Sequence, residues 1–310
     1  MALHPQTAAF LAAYNASAPV IDYDTVTAAE LRALFSIPKP EIGSAGLRGV
    51  EDRTVPGPAG PVGVRIYTPE GDGPLPLTLF IHGGGFSIGD VDTTDGLCRV
   101  LAEEAGSLVV SVEYRRAPEA PFPAGLDDCW AALQWLAEHG SEIGGDPSRV
   151  AVAGNSSGGN FAAVLSQRAT REGLPLRHQL LLFPVTDARM DHHSHQQCGE
   201  GYFLTAAMMR WFWRQYLQTT DDGLDPRTSP LLASDLSGLP PATVFTAEFD
   251  VLRDEGEDYA RSLMRAGVPV RLKRWEGQIH DFILLRGSVD DAGAALREAA
   301  VALSESMGSE

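Results

Sequence analysis

The sequence of 310 residues has few cysteines, no long apolar run and little positive charge. Its three cysteines, Cys98, Cys129 and Cys198, are scattered and odd in number, which argues against a disulfide framework and suits a reducing compartment. No stretch approaches the roughly 18 consecutive apolar residues of a membrane-spanning helix. The first residues lack the basic and apolar segments of a signal peptide. We therefore expect a cytoplasmic protein that does not cross a membrane.

Positive charge is scarce because 24 lysine and arginine residues face 41 aspartate and glutamate residues, for a formal net charge of −17. A surface of this sign repels nucleic-acid phosphates and anionic lipid headgroups. We therefore expect neither a nucleic-acid partner nor a membrane-surface partner. The simpler interpretation, that the charge serves solubility alone, stays open.

No internal repeat or low-complexity tract is visible, and the composition of 44% hydrophobic and 21% charged residues is typical of a globular α/β protein. Helical patterns of about 10 to 15 residues alternate with strand-like segments, which predicts a mostly parallel sheet with helices on both faces. The last strand-like segment could pair between subunits at the sheet edge, so a homodimer is possible. The seven strand-like segments are PVGVRIYTP, LPLTLFIH, SLVVSVEY, RVAVAG, HQLLLFP, ATVFTAE and VPVRLKRWE.

Two regions interrupt the alternation of strands and helices. Residues 1–45 favour helices, and residues 186–228 contain no strand pattern but an aromatic helix, GYFLTAAMMRWFWRQYL. An insertion of this length is too long for a plain loop. We predict that the two regions form a helical cap over a sheet domain made of residues 46–185 and 229–310. The alternative is a helix that merely packs on the core.

Ser156 stands in the segment Gly154–Gly158, GNSSG, which fits the nucleophile-elbow pattern G-x-S-x-G. In such an elbow the serine sits on a strained turn from strand to helix, so that its hydroxyl projects above the sheet. The G-x-S-x-G motif by itself is weak evidence for a nucleophile. Here it lies directly between the strand pattern RVAVAG and a helical pattern, as the elbow requires. We predict that Ser156 is a nucleophile.

A glycine-rich segment, FIHGGGF, follows another predicted strand. Consecutive glycines let backbone N–H groups face a substrate oxygen, as an oxyanion hole for acyl transfer requires. We predict that the N–H groups of Gly83, Gly84 and Ser157 form this hole, while His82 holds the loop in place. The alternative is a flexible glycine loop without a catalytic role.

A serine nucleophile needs a histidine base, and the base needs a carboxylate that orients it. In the chain order serine, acid, histidine, His280 is the one histidine beyond both the elbow and the last predicted strand. Asp250 and Asp254 follow the strand ATVFTAE. We predict Asp250 as the acid because it is nearer the strand end, and Asp254 as the start of a helix. Asp281 would have to fold back onto its neighbour His280.

Aromatic side chains near these motifs are candidates for an apolar substrate pocket. Helical spacing places Trp211 and Phe212 in one stripe with Met208. Such a pocket gains affinity with each buried CH₂ until it is full, so we expect an optimum at acyl chains of about two to eight carbons. The predicted substrate-binding residues are Phe86, Tyr202, Phe203, Trp211, Phe212 and Phe282.

The segment DHHSH, Asp191–His195, lies close to Cys198 and contains residue types that bind metals. Its spacing fits no well-known zinc pattern, and a bound metal needs several ordered ligands. We therefore predict a solvated loop here and expect no metal site.

Five segments occur in the order found in one enzyme family: HGGGF, YRRAPEAPFPAGLDD, GNSSGGN, DVLRDEGEDYA and IHDF. With them the sequence, over about residues 50–285, resembles the bacterial hormone-sensitive-lipase-like esterases, a branch of the α/β-hydrolases. The resemblance implies the α/β-hydrolase fold with a cap. It also implies a triad of Ser156, Asp250 and His280, and hydrolysis of carboxylic esters without a cofactor. Asn155 and Ser157 depart from the residues usual in the family.

The expected partner is a small-molecule ester, but two other functions stay open. A serine peptidase or amidase on the same fold would use the same catalytic residues. The fold also occurs in ligand-binding proteins that have lost a member of the triad, whereas serine, acid and histidine are all present here.

Overall fold

The computed structural model describes residues 2–36 and 46–308. The described residues form one eight-stranded sheet with the strand order β1-β2-β4-β3-β5-β6-β7-β8. Strands β3 to β8 are parallel to one another, whereas β2 runs antiparallel to both β1 and β4. The strands are β1 Leu47–Val55, β2 Val62–Pro69, β3 Leu75–Ile81, β4 Leu108–Glu113, β5 Gly145–Asn155, β6 His178–Leu182, β7 Ala242–Phe249 and β8 Val270–Ile279.

Nine α-helices accompany the sheet in the described part of the chain. They are α1 Pro5–Ser17, α2 Ala28–Phe35, α3 Asp95–Ala105, α4 Ala124–His139, α5 Ser157–Glu172, α6 His193–Gln197, α7 Ala206–Tyr216, α8 Arg253–Arg265 and α9 Asp290–Met307. Single 3₁₀ turns lie at Gly140–Ile143, Asp221–Leu224, Pro230–Leu232 and Phe282–Leu284. None of the helices described is long and apolar enough to cross a membrane.

Helices cover both faces of the sheet, and each face has its own hydrophobic core. Helices α4, α5 and α8 pack on one face, where Phe161 and Leu79 belong to the same buried cluster. Helices α3 and α9 pack on the other, where Leu101 and Leu296 join Phe80. The predicted mostly parallel sheet with helices on both faces is confirmed. Strands buried on both faces read as continuous apolar runs, which explains why their sequences predict them well.

Strand β1 was not predicted from the sequence. Its residues LRGVEDRTV lie at one edge of the sheet and are mostly exposed or half-buried. An edge strand that faces solvent needs no apolar pattern, and this segment carries too many charges to show one.

The two segments predicted as a cap contact each other. The indole Nε1 of Trp211 in α7 donates to the carbonyl of Val26, just before α2, at 3.2 Å. Arg214 Nη2, also in α7, donates to the carbonyl of Tyr23 at 2.6 Å. Part of the first segment, Met1 and residues 37–45, lies outside the described residues, as do residues 309–310 at the end of the sheet domain.

Candidate active site

Ser156 occupies the turn between strand β5, which ends at Asn155, and helix α5, which begins at Ser157. Its φ of 55° and ψ of −120° are disfavoured for residues with a side chain. A methyl group at Gly158 would overlap the backbone carbonyl of Ile81 in β3, so only glycine lets the helix start this close to the sheet. The sharp turn predicted for an elbow is therefore present.

Three side chains from three strand ends meet above the sheet. Ser156 Oγ lies 2.9 Å from His280 Nε2, and His280 Nδ1 lies 2.7 Å from Asp250 Oδ2. Asp250 directly follows β7, and His280 directly follows β8. Because parallel strands end at the same edge of a sheet, residues far apart in sequence converge there. The structure thus brings together the serine, acid and histidine predicted from the sequence.

Two opposing influences act on the imidazole of His280, which is buried. Burial lowers its pKa, but the negative charges of Asp250 and Asp281 and the hydrogen bond to Asp250 outweigh burial and raise the pKa to about 9. Asp250 is itself held in place because its Oδ1 accepts the N–H of Leu252 at 2.9 Å. The pair therefore stabilises a protonated imidazole, as a base needs when it takes a proton.

The two other acids considered at this site have different partners. Asp254 accepts the N–H of Ser194 at 2.8 Å and pairs with Arg253. Asp281 Oδ2 lies 3.6 Å from His280 Nε2, on the serine side of the ring, and accepts from Asn155 Nδ2 at 2.9 Å. Burial raises the pKa of Asp281, against the lowering effect of His280. Neither acid contacts Nδ1 of His280 as Asp250 does.

A hydrogen bond from the glycine loop after β3 corrects the prediction that Gly83 is an oxyanion donor. The N–H of Gly83 donates to Asn155 Oδ1 at 2.9 Å, so it is not free to bind a substrate oxygen. In the described structure no hydrogen bond uses the N–H of Gly84 or Gly85, and both residues line the cavity described below. The N–H of Ser157 lies in the first turn of α5, where helices leave donors unpaired.

His82 packs at the base of this loop, away from the reacting serine. Its ring stacks on Tyr114 with centroids 4.2 Å apart, and its Nδ1 lies 2.8 Å from the carbonyl of Gly83. Burial lowers the pKa of His82 to about 4, and the hydrogen bond to the Gly83 carbonyl only partly offsets this. The neutral imidazole holds the loop through packing and this hydrogen bond.

A cavity of about 470 Å³ opens above Ser156 and His280. This is within the usual range for small-molecule sites. Its walls come from α1, α2, the glycine loop, the 186–228 segment and the loop after β8, and most of the lining is apolar. The apolar side chains of the lining are Phe10, Tyr14, Ala18, Pro19, Ile21, Leu34, Phe35, Ile88, Phe203, Leu204, Met208, Phe212, Ile279, Leu284 and Leu285.

Of the six aromatic residues predicted to bind substrate, Phe203 and Phe212 line the cavity. Phe212 also packs on the glycine loop, because a methyl group at Gly85 (φ +56°) would overlap its ring. The four others, Phe86, Tyr202, Trp211 and Phe282, do not line this cavity.

Phe86 and Trp211 are directed away from the cavity into the core. The ring of Phe86 stacks on Tyr216 with centroids 4.0 Å apart. Trp211 lies one residue before Phe212 on α7, so it faces the Val26 segment instead. Of the stripe predicted with Met208, the residue at i+4, Phe212, shares the cavity, and the residue at i+3, Trp211, does not.

Phe282 and Tyr202 are likewise occupied by other aromatic residues. Phe282 is fully buried between Phe183 and Trp275 beneath His280, with ring centroids 5.5 Å from each. Tyr202 packs on Phe249 at a centroid distance of 5.0 Å.

Sequence reasoning missed the contribution of the N-terminal helices to the lining. Phe10 and Tyr14 in α1 meet Phe203, with ring centroids 6.2 Å and 5.2 Å from it, and Phe35 at the end of α2 lies 6.5 Å away. Phe10 and Tyr14 are four residues apart, which puts both on one helix face. The four-residue spacing indicates an aromatic face on this helix, but it does not indicate that this face lines the cavity.

A profile of proteins with the alpha/beta hydrolase fold matches residues 78–284, more than half of the chain. The chain belongs to the α/β-hydrolase family. It is similar to the "Carboxylic ester hydrolase LipN" of Mycobacterium tuberculosis, with 45% identity over 86% of this chain and 72% of the relative. The "Ethyl acetate hydrolase" of Pseudomonas putida is 42% identical over 75% of each chain.

Solved structures of α/β-hydrolases agree with this assignment. A thermostable esterase from Pseudomonas putida superimposes with a TM-score of 0.95 at 41% identity, over 100% of this chain and 99% of that one. The predicted α/β-hydrolase fold and the resemblance to the hormone-sensitive-lipase-like esterases are confirmed.

Proposed function

We propose that this α/β-hydrolase is a serine carboxylesterase for esters with short to medium acyl chains and that Ser156, His280 and Asp250 are its catalytic residues. The observation that carries the proposal is the unbroken hydrogen-bonded chain from Ser156 Oγ through His280 to Asp250, at the base of an apolar cavity. Relatives that are 42 to 45% identical to this chain are named as ester hydrolases or esterases.

In the first half of the reaction, His280 Nε2 takes the Ser156 proton as Oγ attacks the ester carbonyl carbon. The carbonyl oxygen becomes an oxyanion, which the free N–H groups of Gly84, Gly85 and Ser157 are placed to bind. Asp250 stabilises the imidazolium that forms. The protonated His280 then gives its proton to the leaving alcohol, the C–O bond breaks, and the acyl group stays on Ser156.

In the second half, water takes the place of the alcohol. His280 accepts a proton from this water as it attacks the acyl-enzyme, and the same N–H groups bind the second oxyanion. His280 returns the proton to Ser156 Oγ, and the carboxylic acid leaves. Every proton in this sequence moves through one nitrogen, His280 Nε2, so the scheme needs no cofactor.

The cavity supports the preference for short to medium chains. A volume of about 470 Å³ closed by aromatic rings holds a limited number of methylene groups. Each buried CH₂ contributes about 0.8 kcal/mol until the space is full, after which longer chains clash. We propose an optimum between about two and eight acyl carbons.

We also propose that residues 1–45 and 186–228 act as one cap over the sheet domain. The two segments are linked by the hydrogen bonds of Trp211 and Arg214, and both contribute to the cavity lining. A cap built into the packing in this way favours small dissolved esters. We therefore expect no activation at a lipid–water interface.

Peptide and amide hydrolysis use the same residues, but the named relatives are esterases, and the carboxylesterase reading is favoured. Parallel assays with a matched ester and amide distinguish the two. We expect the ester to be turned over at least about a hundredfold faster, because an amine is the poorer leaving group.

The nucleophile is tested with Ser156→Ala and a fluorophosphonate probe. We expect the variant to fold normally and to lose at least about 10³ in kcat, and the probe to label the unmodified protein once, on Ser156. Ser166→Ala is the matched control, since Ser166 lies in α5, the helix that follows Ser156, and its hydroxyl donates to the carbonyl of Ala162 at 2.8 Å. Retained turnover in Ser156→Ala would disprove the assignment.

The chain-length preference is tested by kcat/KM for p-nitrophenyl esters from acetate to palmitate. Phe212→Ala enlarges the cavity beside the glycine loop, so we expect its optimum to move to longer chains. Val301→Ala in α9, exposed and far from the cavity lining, serves as the control. A rate that still rises at the palmitate ester, or a jump once micelles form, contradicts the proposed closed cap.

We propose a cytoplasmic location and a homodimer that pairs along the edge strand β8. All three cysteines are free thiols and buried, which suits a reducing compartment. Among the described residues β8 pairs with no strand besides β7, which leaves an edge for a second copy except near Gly277, whose carbonyl accepts the N–H of His4 at 2.9 Å. Sedimentation at several protein concentrations tests the dimer, and a single monomer mass throughout excludes it.

A further inference from the structure

The segment around α6, for which the sequence predicts a solvated loop, is instead folded against the start of α8. Ser194 and His195 are buried. The N–H of Ser194 donates to Asp254 Oδ2 at 2.8 Å, and its hydroxyl donates to the carbonyl of Val251 at 2.6 Å. This packing brings the histidines of the segment next to Glu255 in the first turn of α8.

His192, His195 and Glu255 each present one metal-binding atom, and these three atoms all lie within 4.8 Å of one another. His195 Nε2 is 3.4 Å from Glu255 Oε2. His195 is 7% exposed and Glu255 is fully buried. The third residue, His192, has only 11% of its side chain exposed. The group therefore lies inside the protein rather than in an exposed acidic patch.

Several polar atoms of this group have no hydrogen-bond partner in the described structure. They are both ring nitrogens of His195, Nδ1 of His192 and Oε2 of Glu255. The other carboxylate oxygen, Glu255 Oε1, accepts the N–H groups of Thr186 at 2.6 Å and Asp187 at 3.2 Å. These two bonds fix the carboxyl group with Oε2 facing His195. Buried polar atoms without partners are costly, and a metal ion bound by one atom of each of these three residues would remove part of that cost.

The surroundings favour a positively charged ligand. Asp187 and Asp191 form a second group with His192 within the same distance limit, and Asp258 Oδ2 lies 3.4 Å from His192 Nε2. Arg189 pairs with Asp187, and Arg253 pairs with Asp254.

We propose that His192, His195 and Glu255 bind one divalent transition-metal ion of the zinc class. Two imidazoles and a carboxylate are a donor set that Zn²⁺ and its neighbours prefer, whereas Mg²⁺ and Ca²⁺ prefer oxygen ligands alone. The ion would join α6, in the 186–228 segment, to α8 of the sheet domain. Neither Ser156 nor His280 is among its proposed ligands.

The first experiment titrates chelator-treated protein with Zn²⁺ and counts bound ions by calorimetry. We expect about one high-affinity site per chain in the unmodified protein, and at least about a tenfold loss of affinity in His192→Gln and in His195→Gln, as for loss of a ligand. His193→Gln is the matched control, because His193 is exposed in the same short helix. Zn²⁺ binding that all three variants retain equally would overturn the proposal, as would no binding.

A second measurement does not depend on how well the buried variant folds. Zn²⁺ at about a hundredfold excess over its Kd should raise the melting temperature of the unmodified protein by roughly 4 to 8 °C. His192→Gln, at the partly exposed edge of the site, should lose most of this shift, and His193→Gln should keep it. Mg²⁺ should give no shift. An equal shift with Mg²⁺ overturns the assignment, since it indicates binding to surface carboxylates.

Discussion

The molecule contains two buried histidine–carboxylate pairs that differ in how their atoms are used. In the pair His280–Asp250, both ring nitrogens have partners, at 2.7 Å and 2.9 Å. In the pair His195–Glu255, the nearest atoms are 3.4 Å apart and neither ring nitrogen forms a hydrogen bond among the described residues. The pKa of His280 is raised, whereas that of His195 is lowered.

The difference shows that burial alone does not decide the protonation state of a histidine. Burial disfavours the charged imidazole in both places. At His280 a well-aligned carboxylate outweighs this, so the ring is prepared to take up a proton. At His195 burial dominates. The neighbouring carboxyl group of Glu255 is also buried, and burial raises the pKa of Glu255 well above its usual range. The first pair is suited to proton transfer, whereas the second leaves His195 Nε2 and Glu255 Oε2 without a hydrogen-bond partner.

The largest expected effect concerns the acid that serves His280. Asp250→Asn keeps the shape of the side chain but removes the charge that stabilises the imidazolium and its tautomer, so kcat should fall by about 10⁴. Steady-state kinetics with p-nitrophenyl butyrate measure it. Asp281→Asn is the control, because Asp281 lies on the Nε2 side of the ring, and it should cost no more than about tenfold. A larger loss in Asp281→Asn than in Asp250→Asn would reverse the acid assignment.

An intermediate effect is expected at Asn155, which connects the glycine loop to the loop carrying His280. Its Oδ1 accepts from Gly83 and its Nδ2 donates to Asp281. Asn155→Ala breaks both bonds and lets the oxyanion donors shift, so we expect kcat to fall by about 10- to 100-fold with little change in KM. If the variant only unfolded locally, its melting temperature would fall, and kcat would not decrease selectively relative to KM.

An exchange of the two side chains sharpens the test. Asn155→Asp alone places two carboxylates against each other and should lower kcat. The double variant Asn155→Asp with Asp281→Asn restores an acceptor for Gly83 and an amide–carboxyl bond in the reverse direction. We expect it to recover most of the loss. No recovery would mean that the connection between the loops does not position the site.

A smaller effect is expected in the pH dependence. His280 must be neutral to accept the Ser156 proton, and its pKa is raised to about 9, so kcat/KM should still be rising above the ordinary histidine value of about 6.5. Asp281→Asn removes one of the charges that raise this pKa, and the acid limb should move to lower pH by about one unit. Rates from about pH 5.5 to about pH 10 give both profiles. If the acid limbs of the two pH profiles coincide, Asp281 carries no charge that raises the pKa of His280.

The smallest effect is expected in stability, with opposite signs for the two histidines. The lowered pKa of His195 means that the unfolded chain binds its proton first, so the free energy of unfolding falls below about pH 6.5, by up to about 1.4 kcal/mol per pH unit. His280, with its raised pKa, contributes stability that is present below about pH 6.5 and lost towards pH 9.

Urea unfolding at about pH 7 and about pH 5.5 separates these contributions. His195→Gln should show a weaker loss of stability on acidification than the unmodified protein, and His193→Gln should show none of this weakening. If His195→Gln retains the full acid dependence, His195 is not the neutral buried group described above.

Local patterns predicted the fold well, and they singled out the three side chains that meet above the sheet. The elbow at Ser156 depends on a strand, a turn and a helix that are contiguous in sequence, and Asp250 and His280 follow strands whose apolar runs are plain. Strand β1 escaped prediction because an exposed edge strand needs no apolar pattern. The order of the sheet then brings the strand ends together without any further signal.

Side-chain partners from distant segments could not be predicted in the same way. Gly83 is excluded as an oxyanion donor by the side chain of Asn155, and nothing in the HGGGF segment indicates that bond. Helical spacing placed Trp211 and Phe212 in one stripe but could not say which neighbour each would face. The histidines of α6 fit no metal motif because their third candidate ligand, Glu255, comes from another helix.

The backbone of Ser156 has a consequence for how this protein can change. A residue with a side chain at φ 55° and ψ −120° costs the fold roughly 1 to 3 kcal/mol, and glycine relieves most of that cost. The variant Ser156→Gly should therefore have a higher free energy of unfolding than the unmodified protein, but it lacks the nucleophile. Selection for stability alone would therefore favour the loss of Ser156 and, with it, the loss of activity. Only continued demand for turnover keeps the serine, so stabilising designs should leave this one position untouched.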